Sequence, residues 1–324
     1  VSTQINLSMI VRSVCCLLII NTHTGMLSIP ILEKFAKGGF VLNVIFITLS
    51  GYFLALGFNR VITSEYSLLT WYKRRLLKII PPLITSIFLF SFVFYALSIN
   101  LNLKEVLLSL TGLGYFFNSI PFGIHLWFVS VILICYLFFP LSYWLIKNSK
   151  IISVFILVGS LLFLSLLHPD IYSKISGEVF FRFIYHFVVF QFAVYLGIYH
   201  DRIDLLSILS FASIIIAVEY LTGYAGFKII VPLAISTLIV FFINVTSNVR
   251  FSMRGVGLIN SISYEIYIVH YPILLILVKT NFVGKPIGYG IVFIMSILIA
   301  YIVKKFNDKL FLVNSPWFKK ALAK

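Results

Sequence analysis

Charge is scarce in this sequence. Only 11% of residues are charged, and the acidic ones number 10 against 25 basic ones. A water-soluble domain carries about twice that fraction, so an ordinary solvated surface is excluded. Cysteine is scarce too: Cys15, Cys16 and Cys135 all lie inside apolar runs. They offer neither a disulfide framework nor metal-ligand spacing, and they read as small apolar packing residues. Long polar segments are missing as well. The two longest, about 60–78 and about 100–123, hold about 20 residues each, too few for a separate domain. With no internal repeat and no low-complexity tract, residues 1–324 read as a single transmembrane domain.

What the chain has instead is apolar residues, 61% of the total, gathered in blocks. The blocks run to about 20 residues, the length of a bilayer-crossing helix. Backbone groups in hydrocarbon must be satisfied within the segment, which favours helices; the runs are too continuous for barrel strands. The expected fold is an all-α integral membrane protein of about ten transmembrane helices. They are expected at about 7–25, 39–59, 79–99, 124–146, 151–168, 180–199, 204–222, 228–246, 258–279 and 286–304.

The net charge of +15 does not point to nucleic acid. Its basic residues lie mostly between apolar blocks, where they set topology and meet anionic lipid heads. Sixteen fall in the even-numbered connections and the C-terminal tail, and eight in the odd-numbered connections. This bias places both termini in the cytoplasm. The first apolar run is not followed by a small-residue cleavage site, so no cleavable signal is expected.

A few polar groups interrupt the apolar blocks. Arg12 and His23 stand in the first. Their eleven-residue separation closes about three helical turns with about 20° left over, so both occupy one face about 16 Å apart. Intramembrane charge is costly and marks function by default; the alternative is that Arg12 snorkels to one surface while His23 sits in the opposite interface. "TWYKRRLLKIIPPL" carries Lys73, Arg74, Arg75 and Lys78 just before Pro81 and Pro82. Such a cluster either grips phosphates or anchors topology. "SISYEIYIVHYPILLIL" holds Glu265 and His270, about 140° apart on a helix, and the stripe Tyr264, Tyr267 and Tyr271, a pattern common in packing. A carboxylate at Glu265 needs a partner such as arginine. His125 and Trp127 open the fourth span, where Trp127 alone would suit an aromatic belt. Arg182 and His186 share a face of the sixth and are expected to face a cavity.

Taken in order, these segments resemble the membrane acyltransferase-3 family, whose bacterial members O-acylate cell-surface sugars. The resemblance rests on Arg12, ten residues and His23; on "GGFVLNVIFITLSGYFLA", with Gly39 and Phe46 to Tyr52; on "RRLLKIIPP"; on "LWFVSVILICYLFFP"; and on "SYEIYIVHYPIL". Two positions depart from the family pattern: Met9 stands where an acidic residue is usual, and Lys78 where a second arginine is. The extracytoplasmic esterase-like domain of some members is not expected here.

The resemblance implies an acyl-CoA donor on the cytoplasmic side, most often acetyl-CoA, and a sugar hydroxyl as acceptor on the far side. It places donor phosphates on Lys73, Arg74, Arg75 and Lys78. His23 would take the proton of the attacking hydroxyl, since imidazole titrates near neutral pH, or carry the acyl group itself. Arg12 would steady the donor or an acidic partner such as Glu265. His125, Trp127, Tyr267 and His270 would meet substrate. No metal and no nucleic acid are implied, and the expected location is a bacterial plasma (inner) membrane, with membrane lipids and a lipid-linked or surface glycan as partners. A lipid-linked sugar transporter or flippase without acyl chemistry is the rival reading.

Overall fold

The computed structural model describes residues 4–24, 40–63, 67–117, 125–149, 175–202, 224–281 and 286–312. Ten helices carry the fold among them: α1 (Leu7–Thr24), α2 (Phe40–Thr63), α3 (Leu68–Ala96), α4 (Leu103–Leu110), α5 (Trp127–Asn148), α6 (Ile175–Ile198), α7 (Tyr224–Val245), α8 (Arg254–Ser261), α9 (Ser263–Lys279) and α10 (Pro286–Asn307). Two short strands, β1 (Gln4–Ile5) and β2 (Phe251–Ser252), pair antiparallel and bring the start of α1 beside the start of α8. Asn6 caps α1: its side-chain oxygen accepts from the Ser8 hydroxyl at 2.7 Å and the Met9 amide at 3.1 Å.

Length and hydropathy suit a bilayer. Among the described residues five helical stretches are long and apolar enough to cross one: Leu7–Thr24, Val41–Phe58, Leu68–Ala96, Trp127–Asn148 and Ile287–Phe311. The bent pair α8–α9 makes a sixth. The outside of the bundle is apolar too, with Phe92, Leu137, Trp144, Phe242 and Leu298 all exposed, as a lipid-facing surface requires. Two of the expected spans, 151–168 and 204–222, lie outside the described residues.

Two expectations are corrected. The third span does not begin near residue 79; α3 starts at Leu68, where the Ser67 side chain accepts from the Thr70 amide. The basic cluster is therefore helical, and Pro81 and Pro82 sit inside the helix without ending it. The ninth span is not one helix: α8 and α9 meet at Ile262 with a bend of 75°. The cause is in the sequence. The Ser261 hydroxyl donates to the Leu258 carbonyl at 2.7 Å and Ser263 to the Asn260 carbonyl at 3.0 Å. Such local bonds compete with the helical ladder.

The core is built on backbone contact. α2 lies along α6 because both present glycine at the crossing. A Cβ on Gly51 would meet the Phe190 carbonyl oxygen at 2.8 Å, and one on Gly197 the Tyr52 carbonyl oxygen at 2.6 Å. Small residues allow this approach between apolar helices. α1 packs on α9, α8 and α2, while α9 packs on α10 and α3. Polar side chains fasten these helices: Ser13 donates to the Val256 carbonyl at 3.0 Å, Tyr264 to the Ile79 carbonyl at 3.0 Å, and Thr85 to Asn307 Oδ1 at 3.1 Å. The three cysteines are buried free thiols, and Cys16 also donates to the Ser263 carbonyl at 3.3 Å.

Candidate active site

α1, α2, α3, α5, the α8–α9 bend and α10 surround a cavity of about 610 Å³. Arg12 and Ser8 line it from α1, Arg75, Lys78 and Ile79 from α3, and Lys304 from α10. The bend turns Asn260, Ser261, Ser263, Tyr264 and Glu265 toward it. Four cations thus face one carboxylate, so this end of the cavity suits an anion.

Aromatic rings hold the guanidinium groups. Arg12 lies 5.1 Å over the Phe53 ring and Arg75 5.8 Å over Trp71. Trp71 is itself stacked on Phe139, with centroids 5.3 Å apart. Cation–π contact leaves guanidinium N–H groups for a ligand. The Tyr136 hydroxyl lies in the field of both Arg75 and Arg12, on the side of the cavity that Ser50 also lines.

The basic cluster divides on the helix. Arg75 and Lys78, three residues apart, share the cavity face. Lys73 and Arg74 are exposed and do not line the cavity; α3 carries them onto another face. Arg12 and Glu265 line the same cavity without forming an ion pair. The charges acting on Glu265 are those of Lys304, Asp308 and Lys78, and Lys304 in turn pairs with Asp308 at 3.5 Å. The helix break explains this: it starts α9 at Ser263, so Glu265 stands in the first turn, beside the end of α10.

The other end of the cavity is aromatic. Phe128 lies eight residues from Tyr136 along α5, about 12 Å away. Its ring meets Tyr267 at 5.2 Å and Phe46 at 6.2 Å, and all three residues line the cavity. Tyr267 also touches what lies behind: its hydroxyl donates to the His125 carbonyl, and its ring is 5.8 Å from that of His270.

Behind this layer three histidines meet. The His23 ring is 5.3 Å from His270 and 5.3 Å from Tyr271. His125 stacks on Tyr271 at 5.0 Å and lies 6.4 Å from His270. His270 is buried, and its Nδ1 lies 3.2 Å from the Ile266 carbonyl. That bond assigns the proton to Nδ1 and leaves Nε2, which has no hydrogen-bond partner, as an acceptor. His23 is exposed and so open to a substrate. Among the described residues no group of three His, Cys, Asp or Glu could hold a metal ion.

Comparison with known families matches residues 9–305 to the acyltransferase domain of the acyltransferase-3 family. The chain belongs to that family. It is a membrane acyltransferase, and the match spans nearly all of the sequence. No curated protein and no solved structure matches it.

Within this acyltransferase Trp127 stands apart from the expected site. Its ring packs on His186 at 4.8 Å and under Arg182 at 5.7 Å, and it does not line the cavity. Arg182 and His186, expected to face a cavity, do not line this one; they complete this side layer. Tyr136 and Lys304 are two polar cavity residues among those that the sequence reading missed. A lone tyrosine inside "VILICYLFFPL" looks like packing, and a lysine at the end of the last apolar run looks like a topology anchor.

Proposed function

We propose that this acyltransferase moves a short acyl group, acetyl in the first place, from a cytoplasmic acyl-CoA to a hydroxyl of a cell-surface glycan such as O-antigen or exopolysaccharide. One observation supports the reading above the rest. A single cavity carries Arg12, Arg75, Lys78 and Lys304 at one end, and at its other end touches, through Tyr267, the cluster around His23. Acyl-CoA has the matching polarity: anionic phosphates, a long neutral arm and a reactive thioester at the tip. The positive-inside bias puts the cationic end on the cytoplasmic side, where the donor is made. The glycan then approaches His23 from the far side, and the protein sits as a multi-pass protein of a bacterial inner membrane, among its lipids.

The step balances simply. The sugar hydroxyl oxygen attacks the thioester carbonyl carbon, His23 accepts the hydroxyl proton, and the new ester forms as the carbon–sulfur bond breaks. The thiolate leaves with the pair of electrons and takes up the proton, giving free CoA. In a two-step version the His23 imidazole first displaces CoA from the acyl carbon, the leaving thiolate taking the imidazole N–H proton, and the hydroxyl then displaces the imidazole, returning its proton to the ring.

The test is incubation of membranes with labelled acetyl-CoA. Label appearing in surface sugar, and lost with His23→Ala, is the expected result. Sugar crossing the membrane without gaining label would instead fit a flippase. Comparing surface polymers from a deletion strain identifies the acceptor as the one that loses acetyl. A rapid denaturing quench at neutral pH separates the two routes, since label retained on the protein marks the acyl-histidine.

A further inference from the structure

We propose that His270 is the positioning residue for His23: its Nε2 accepts the N–H of one His23 ring nitrogen and so turns the other, with its lone pair, toward the acceptor hydroxyl. The inference rests on the reading of His23 as the base for that hydroxyl and adds what holds the base in its working tautomer. The family resemblance sets His270 against substrate, but its side chain is only 1% exposed. It acts instead through His23, whose exposed ring lies 5.3 Å away.

The hydrogen bonds leave His270 one open position. Its Nδ1 lies 3.2 Å from the Ile266 carbonyl, which can only accept, so the proton is on Nδ1 and Nε2 is an acceptor. Nε2 is buried and has no hydrogen-bond partner in this structure. A buried acceptor without a donor is costly, and the donor must come from a neighbouring ring. Three rings lie near: His23 at 5.3 Å, Tyr267 at 5.8 Å and His125 at 6.4 Å. Tyr267 donates its hydroxyl proton to the His125 carbonyl. His125 presents Nε2 to the Ile268 carbonyl at 3.4 Å, so its proton is committed as well. His23 remains. Two imidazoles 5.3 Å apart have the spacing at which one nitrogen of each can meet at about 3 Å, a hydrogen-bond length. The rings are tilted by 41°, and a turn of the exposed His23 side chain closes the bond. The chain of carbonyl, His270 and His23 then does what an aspartate does for the histidine of a serine-hydrolase triad: it fixes tautomer and orientation. The hydroxyl proton passes to the outward His23 nitrogen, the N–H toward His270 stays in place, and the gained proton goes on to the leaving thiolate.

The test uses the full-length protein in membranes with labelled acetyl-CoA, and reads the transfer rate at saturating donor separately from the KM for acetyl-CoA. Rates are taken per amount of protein that shows a thermal unfolding transition, so a poorly packed variant is not mistaken for a slow one. His270→Asn keeps a donor for the Ile266 carbonyl and loses the acceptor; His270→Phe keeps a ring and loses both nitrogens. Each should lower the saturated rate about 10-fold or more, as loss of a tautomer-fixing partner does, with KM unchanged. His270→Gln brings an amide oxygen back near the Nε2 position and should recover part of the rate. In a His23→Ala background His270→Asn and His270→Phe should lower the residual rate no further, because residues that act as a unit are not additive. If His23→Ala is severe but His270→Asn and His270→Phe keep the wild-type rate, the positioning role is wrong and His23 survives as the base. A further loss on top of His23→Ala, or no recovery with His270→Gln, would also overturn it and leave His270 a packing residue. If His23→Ala transfers normally, or acetyl-CoA supports no transfer by the wild type, the reading of His23 fails and the positioning role with it.

Discussion

The rings of His23 and His270 lie 5.3 Å apart, although one belongs to α1 and the other to α9. α9 also carries Glu265 into the charged end of the cavity. One helix thus reaches both ends of the site, with Tyr267 between them. Substitutions along it should separate donor binding from proton transfer.

His23→Ala should lower acyl transfer by about 100-fold or more, the usual size of a general-base contribution, and by more if the imidazole carries the acyl group. Insertion should be unaffected, because the side chain is exposed and adds little to the packing of α1. Surface acetylation and the amount of protein in the membrane are the two readouts. Near-normal acetylation would remove His23 from the mechanism.

Arg75 and Lys78 should differ from their sequence neighbours. Arg75→Ala should raise the KM for acyl-CoA, with the residual affinity falling as salt rises. Lys78→Arg should be tolerated, since it restores a bidentate fork. Lys73→Ala and Arg74→Ala should change KM far less, because both side chains lie off the cavity. Equal effects at all four positions would mean the cluster acts through general charge and not through a site.

Gly51→Ala and Gly197→Ala should each destabilise the protein by about 1–3 kcal/mol, the usual cost of overpacking. Each added methyl would press on a backbone carbonyl oxygen, at 2.8 Å for Gly51 and 2.6 Å for Gly197, and backbone cannot step aside as a side chain can. Thermal unfolding in detergent measures the loss. Gly57→Ala is the control, since nothing lies within 4 Å of its added Cβ.

The parts of the site that follow from local pattern were legible in the sequence. Arg12 and His23 on one face follow from the helical repeat, and so does the separation of Glu265 from His270. What depended on tertiary contact was not. The break at Ile262 arises from serine side chains bonding their own backbone, in a stretch that hydropathy reads as one span. Lys304 joins the cavity only because α10 packs against α9 and α3. The family resemblance sets Trp127 among the substrate residues; the helix turns its ring toward His186.

The absence of an Arg12–Glu265 ion pair gives a sharp expectation for double substitution. Arg12 is held over Phe53 and shares a field with Arg75 and Tyr136, whereas Glu265 is surrounded by Lys304, Lys78 and Asp308. Arg12 and Glu265 are linked indirectly, through Lys78, which feels both, and residues linked indirectly couple more weakly than residues in direct interaction. Arg12→Ala and Glu265→Gln should therefore come close to adding in thermal stability. Lys304→Ala with Glu265→Gln should not: removing the lysine leaves the carboxylate with less compensation, and neutralising the carboxylate should recover part of that loss. A coupling of about 0.5 kcal/mol or more between Glu265 and Lys304 is expected, with a smaller one between Glu265 and Arg12. Finding the larger coupling at Arg12 would mean that the working state pairs the two residues after all.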